Sequence, residues 1–216
     1  MLPIMRLPFA DRAEAGRELA DHLRVLALDD PIVFGVPRGG VAVAAPVARE
    51  LGGDLDVIVV RKIGAPHNPE LGLGAVGAEG PPAVDERLVE MLHVGDDVLA
   101  KEIETQRAEA ARRVAAYRGG TPQREVRNRD VVVVDDGIAT GGTVIAAARL
   151  LRDRGPHRLV LAVPVAPIEG LAKVRDYYDE VVCPHTPQPY VAVGQWYTDF
   201  HQVTDDEVRV LIGAGG

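Results

Sequence analysis

Residues 131–143, VVVVDDGIATGGT, decide the fold. Four consecutive valines are too apolar and too β-branched for a loop, and between charged neighbours they predict a strand buried on both faces, as in a parallel sheet. Asp135 and Asp136 follow at its carboxyl end. Gly137, Thr140, Gly141, Gly142 and Thr143 then make a tight, hydroxyl-rich turn, and Val144, Ala147, Ala148 and Leu151 recur as one face of a helix. A helix N-terminus offers unpaired N–H groups and partial positive charge, glycines let a ligand approach the backbone, and Thr140 and Thr143 add hydroxyl donors. Together these suit a phosphate monoester. The two carboxylates suit a different partner, a pair of vicinal hydroxyls held directly or through a metal. The ligand implied is a 5-phosphorylated ribose.

Outward from this stretch the same pattern repeats. Residues 32–36 are a short apolar run broken by Pro37-Arg38-Gly39-Gly40, and Val41, Ala44, Ala45 and Ala48 then share a helix face that stops at Gly52-Gly53. Arg38 beside two glycines presents a planar fork and backbone N–H groups to one anion. Residues 55–60 predict a further strand, running into Arg61-Lys62 and a long loop rich in glycine and proline. Two cations at the carboxyl end of a strand lie on the edge where open α/β sheets bind ligands. Downstream, 159–165 and 180–183 read as strands and 168–178 as a helix. The alternation predicts an α/β fold, doubly wound on a mainly parallel sheet. Near the N-terminus Asp11 and Glu14 form a capping pair for a packing helix.

The hydrophobic strand, acidic pair and Thr-Gly-Gly-Thr loop resemble the hallmark of the type I phosphoribosyltransferases. The resemblance implies that Gly137, Ile138, Ala139, Thr140, Gly141, Gly142 and Thr143 bind the 5-phosphate of 5-phosphoribosyl-1-pyrophosphate (PRPP). It implies that Arg38 and Gly39 bind pyrophosphate, and that Arg61, Lys62, Asp135 and Asp136 are catalytic. Magnesium (Mg2+) is the implied cofactor, with Asp135 and Asp136 as its carboxylates, directly or through water. The reaction implied is transfer of the phosphoribosyl group to a nucleobase or related nitrogen heterocycle, as in nucleotide salvage. In position the long loop matches the family's mobile lid, and His67 within it is a candidate for proton transfer or pyrophosphate contact. Tyr190, Trp196, Tyr197 and Phe200, clustered near the C-terminus, are candidates for stacking the base, in a hood over about 184–212.

Ala139 stands where the hypoxanthine- and guanine-salvage enzymes resembling this motif place a third acid, so that side-chain base is absent. The loop is closest to that of adenine phosphoribosyltransferases, and the whole chain is more similar to bacterial phosphoribosyltransferase-domain proteins whose acceptor the motif does not specify. Two other uses of the same chemistry stay open: a non-catalytic PRPP or nucleotide sensor, and a phosphoribosyl hydrolase.

A chain of 216 residues suits a single domain, here with a helical insertion over about 85–118 whose apolar residues recur at helical spacing. That insertion could pack on its own sheet or between subunits, and a homodimer is common in the family. With a formal net charge of -8 and no dominant basic block, broad binding to nucleic acid or anionic lipid is not expected. Cys183 is the only cysteine, which excludes an intrachain disulfide and predicts a reducing, cytoplasmic setting. No signal peptide or membrane span is read in the N-terminal residues. Gly72–Gly77 formally fits the dinucleotide pattern G-x-G-x-x-G, but no strand leads into it and Pro81-Pro82 follow where its helix should continue. Gly137–Thr143 approaches a nucleotide triphosphatase loop but has Thr143 where the lysine is needed.

Overall fold

The computed structural model describes residues 7–66 and 68–214. Helix α1 (Arg12–Leu23) opens at Asp11, whose carboxylate accepts the Glu14 amide at 2.7 Å, while Glu14 reaches back to the Ala10 N–H. Asp11 is thus the N-cap expected of that pair, while the return bond of Glu14 falls on the residue before the cap. Strand β1 (Ile32–Gly35) follows, then α2 (Gly39–Leu51) and β2 (Asp54–Val57). The chain next leaves the sheet for an excursion that holds β3 (Arg61–Ala65), β4 (Asn68–Val76), β5 (Ala83–Val84), α3 (Glu86–Met91) and α4 (Asp96–Arg118). It returns as β6 (Asp130–Val134), α5 (Gly142–Arg152), β7 (Arg158–Ala162), α6 (Ile168–Val174), β8 (Glu180–Val182) and α7 (Asp205–Ala214).

The central sheet runs β2-β1-β6-β7-β8 with every pairing parallel. The valine run sits in its middle as β6, with both faces covered. Val131 and Val133 pack beneath α5 with Leu151 and Leu161, while Val132 and Val134 pack against α1 and α2 with Leu19 and Val47. Strand order reverses between β1 and β6, so the helices that follow these two strands cover opposite faces, and the carboxyl edge between them is the point at which such sheets bind ligands. Among the described residues no helix is long and apolar enough to cross a membrane.

Two expectations are corrected. The strand predicted over 55–60 ends at Val57, where its pairing with β1 ends. The stretch expected as a long open loop is instead a three-stranded antiparallel sheet, β3-β4-β5. Glycines masked its alternation. Ile63, Ala65, Leu73 and Val76 turn inward and form their own small core with Leu88, Leu99 and Ile103 from α3 and α4. Gly74 lies so close to the Ala83 carbonyl that a side chain there would block the β4–β5 pairing.

The charged stretch predicted as helical is two helices, and α4 packs on its own chain. Leu99 and Ile103 cover the small sheet, and Ala110, Val114 and Tyr117 join Val57, Val59 and Val208. Its last turn is fixed by a buried ion pair: Arg118 Nε donates to Asp56 Oδ1 at 2.8 Å, and its Nη2 to the Val57 carbonyl at 3.1 Å. The end of the segment expected as a hood is helix α7, which seats Val208 in the core. Residues ahead of α7 pair with the N-terminal stretch: the Phe9 N–H donates to the Trp196 carbonyl (2.8 Å) and the Thr198 N–H to that of Phe9 (2.7 Å).

Candidate active site

β1 and β6 are neighbours in register, Gly35 beside Val134, so the Pro37–Gly40 loop and the acidic pair leave the sheet side by side. The Pro37–Arg38 peptide bond is cis. A Cβ on Gly39 would collide with the Asp136 carboxylate, and one on Gly40 would fall 2.6 Å from the Val134 carbonyl and 3.0 Å from Asp135 Oδ1. The two glycines are therefore there for close approach, pressing the loop backbone onto the acids. Gly39→Ala is expected to overpack this contact and destabilise the protein by about 1–3 kcal/mol. Thermal unfolding would show it as a fall in Tm of roughly 2–12 °C.

Asp136 is held from two sides. Its Oδ2 accepts from Arg12 Nε at 2.9 Å, and its main-chain carbonyl accepts the Tyr197 hydroxyl at 2.6 Å. Asp135 turns its Oδ1 back to the Asp136 amide at 2.9 Å. Burial pushes both carboxyl pKa values up. For Asp135 the neighbouring Asp136 charge adds to the rise, while Arg12 partly offsets it at Asp136. The pair is thus short of positive charge, which is the condition under which a cationic or hydroxyl-bearing ligand is favoured there. Arg12 is the site residue that sequence reasoning missed. It stands 124 positions from Asp136 in the first turn of a helix read as packing only, and it carries no local motif.

The glycine loop divides into an anchored half and an open half. Ile138 is buried and its N–H donates to the Val165 carbonyl at 3.2 Å, and Gly137 packs against Val193, so these two hold the loop down. Gly141 has φ +84 and abuts Val174, which positions the start of α5. Ala139, Thr140, Gly142 and Thr143 are exposed, and nothing closer than Thr140 Oγ1 at 4.0 Å would meet a side chain on Gly142. That open rim at a helix N-terminus is suited to a phosphate. It borders a cavity of about 390 Å³ whose walls include Thr140, Gly142, Thr143, Lys62, Gly72 and Arg149. The β3–β4 hairpin therefore stands against the glycine loop.

Strand geometry separates the two hairpin cations, because successive side chains point to opposite faces. Lys62 faces the cavity, whereas Arg61 turns to α4 and donates from Nε to Gln106 Oε1 at 3.0 Å. Arg61 and Lys62 do not converge in this conformation. Arg38, half-exposed, lies 3.7 Å from Asp205.

The aromatic cluster is packed more tightly than a stacking surface requires. Tyr197 is 5% exposed, with its ring against Phe9, so it offers no free face and instead holds the Asp136 backbone. Tyr190 and Trp196 are half-buried against each other, and Arg12 lies 3.9 Å over the Phe200 ring. Among the described residues the buried Tyr190 hydroxyl and Trp196 Nε1 have no hydrogen-bond partner. His67 lies outside the described residues.

Among the described residues no three His, Cys, Asp or Glu side chains form a metal cluster. Magnesium typically takes one or two carboxylates, keeps several waters and draws its other ligands from substrate phosphates. Asp135 and Asp136, one oxygen of Asp136 being committed to Arg12, are a donor set that fits such an ion arriving with a diphosphate ester.

Comparison with known proteins agrees with this geometry. A model of the phosphoribosyl transferase domain matches residues 12–197. A crystal structure of a Thermus thermophilus protein superposes with a TM-score of 0.88 at 44% identity, covering 98% of this chain and 99% of that one. A Mycobacterium tuberculosis protein provisionally named a phosphoribosyl transferase is 44% identical over 204 residues, 94% of this chain but 46% of its own length, so the chain spans about half of that relative. A uracil phosphoribosyltransferase of Desulfitobacterium hafniense is 30% identical over 165 residues, 76% of this chain and 71% of the relative. The chain belongs to the phosphoribosyl transferase domain family, of the type I kind.

Proposed function

We propose that the protein transfers the 5-phosphoribosyl group of PRPP to a nitrogen of a nucleobase or related heterocycle, releasing pyrophosphate. The observation that carries this reading is the meeting of an open glycine loop at the N-terminus of α5 with an acidic pair against which Gly39 is pressed. In this reading Thr140, Gly142 and Thr143 hold the 5-phosphate. Asp135 and Asp136 accept the ribose hydroxyls and favour positive charge growing on the sugar, while Arg38 and Lys62 stabilise the departing diphosphate. Arg12 and Tyr197 are positioning residues that fix Asp136. Magnesium, when bound, neutralises diphosphate charge.

The hairpin beside the glycine loop would limit water at the reacting carbon, as a sugar cation demands. Ala139 on the loop rim leaves no carboxylate there to act on the base. The D. hafniense relative makes uracil the first acceptor to try, and the likeness of the loop makes adenine the second. A cytoplasmic setting is in keeping with a single cysteine, Cys183, that is free.

A panel of bases with magnesium and PRPP, read by pyrophosphate release and by the nucleotide formed, is expected to give product with at least one base. Tight PRPP binding without product from any base would replace transfer by a sensing role. Ribose 5-phosphate formed without base would replace it by hydrolysis.

A further inference from the structure

With Arg61 turned to Gln106, Arg38 and Lys62 are the cations that the reading above gives to the diphosphate, and others stand nearby. α4 brings two. A cavity of about 420 Å³ opens beside the Pro37–Arg38 turn, and its polar walls are Arg38, Arg112, Arg113, Tyr117 and Asp205. In a chain of net charge -8 this is a local concentration of guanidinium groups.

The two helix arginines are held in a fixed arrangement. Glu109, one turn earlier, accepts from Arg112 Nε and Nη2 at 2.8 and 2.9 Å and from Arg113 Nε at 2.8 Å. Those bonds, to Arg112 and then to Arg113, hold the Glu109 carboxyl down at about 2. The N–H groups of both arginines that Glu109 does not use are left for another acceptor, since each guanidinium carries five donors. α4 is itself fixed by the Arg118–Asp56 pair, so this wall does not drift. On the opposite wall Asp205 accepts the Tyr117 hydroxyl at 2.9 Å, and its 3.7 Å separation from Arg38 is too long for a hydrogen bond.

We propose that Arg112 and Arg113 complete, with Arg38, a subsite for a diphosphate group, and that its occupant is the pyrophosphate half of PRPP. The assignment rests on the phosphoribosyl transfer proposed above. Three guanidinium groups beside a loop offering backbone N–H groups match the several acceptor oxygens of a diphosphate, and planar forks bind such oxygens in pairs. The helical excursion then has a chemical role: it supplies the leaving-group charge that Arg61 does not.

The test is titration of inorganic pyrophosphate, with magnesium, into the wild type and into the Arg112→Gln/Arg113→Gln variant. The expected result is about 10- to 100-fold weaker binding in the variant. Helix content and Tm should hold, because the bonds of both side chains to Glu109 are solvent-accessible pairs within one helix, and Arg112→Lys/Arg113→Lys should recover part of the loss. Pyrophosphate should also compete with PRPP. Equal affinity in wild type and Gln variant, or no binding to the wild type, overturns the subsite. Undiminished binding to PRPP-saturated protein overturns its assignment to the leaving group and makes it a site for a separate diphosphate effector. None of these readouts requires turnover, so an unproductive base panel would count against transfer without deciding the subsite.

Discussion

Asp135→Asn with Asp136→Asn is expected to lower PRPP turnover by about 10²- to 10³-fold, the scale seen when a preorganised electrostatic contact to a transition state is removed. In the proposed reaction the two carboxylates supply the negative charge that a phosphate-binding glycine loop cannot. Magnesium-PRPP binding and steady-state rates measure the effect, and unchanged binding in the double variant would remove the acidic pair from the mechanism.

The single variants should separate in stability. Both carboxyl pKa values are raised in the folded protein, above an unfolded value of about 3.9. Between those values the folded state holds more protons than the unfolded state, so stability is greatest below the unfolded pKa and falls as pH rises through the folded one. Above the unfolded value the cost of ionising the buried pair therefore opposes folding. Asp135→Asn relieves that and should raise Tm. Asp136→Asn should lower it, because Arg12, itself nearly buried, loses its anion. Thermal unfolding at pH 5 and pH 8 tests the sign: the gain from Asp135→Asn should be larger at pH 8.

Asp56→Ala is expected to be the most damaging single change to the fold. Asp56 and Arg118 have side chains 4% and 6% exposed, and Asp56 Oδ2 also accepts the Arg124 N–H at 3.1 Å. Removing one partner of such a pair leaves a charge buried and typically costs about 3–5 kcal/mol. For a chain of this size that is roughly a 6–20 °C fall in Tm. Replacing both partners by apolar residues, Asp56→Leu with Arg118→Met, should recover part of the loss. If the single variant kept the wild-type Tm, the ion pair would not be what fastens α4 to β2. The pyrophosphate affinity of Asp56→Ala should fall as well, since α4 carries the wall holding Arg112 and Arg113.

The parallel sheet was legible because its signals are local. Val131–Val134 are buried on both faces, as an unbroken β-branched run implies, and the turn at Gly137–Thr143 leads into α5 as its residues require. The β3–β4–β5 sheet was not legible, since its glycines interrupt the alternation that marks a strand. Its stability comes from packing on α3 and α4, which follow it in the chain but carry no local sign that they fold back over it. The glycines after Arg38 lie against the acidic pair, while the Arg38 side chain stands beside Asp205. The opposite directions of Arg61 and Lys62 could be known only once both were placed in a strand. Arg12 had no local signal at all, and the aromatic cluster was legible as a cluster but not as packing. What failed was whatever depends on which distant segment covers a residue.

The excursion between β2 and β6 also bears on how such a protein can diverge. It leaves from one side of β1 and returns on the other, so the sheet is complete without it. Loop-closure entropy grows only logarithmically with length, about 0.6 kcal/mol for each doubling. Lengthening or exchanging the hairpin end of that segment therefore perturbs the parallel sheet little, provided α4 keeps Arg118 on Asp56. The glycine loop and acidic pair are fixed to the frame of strands, and the hairpin facing them is the part free to change while the buried pair is kept.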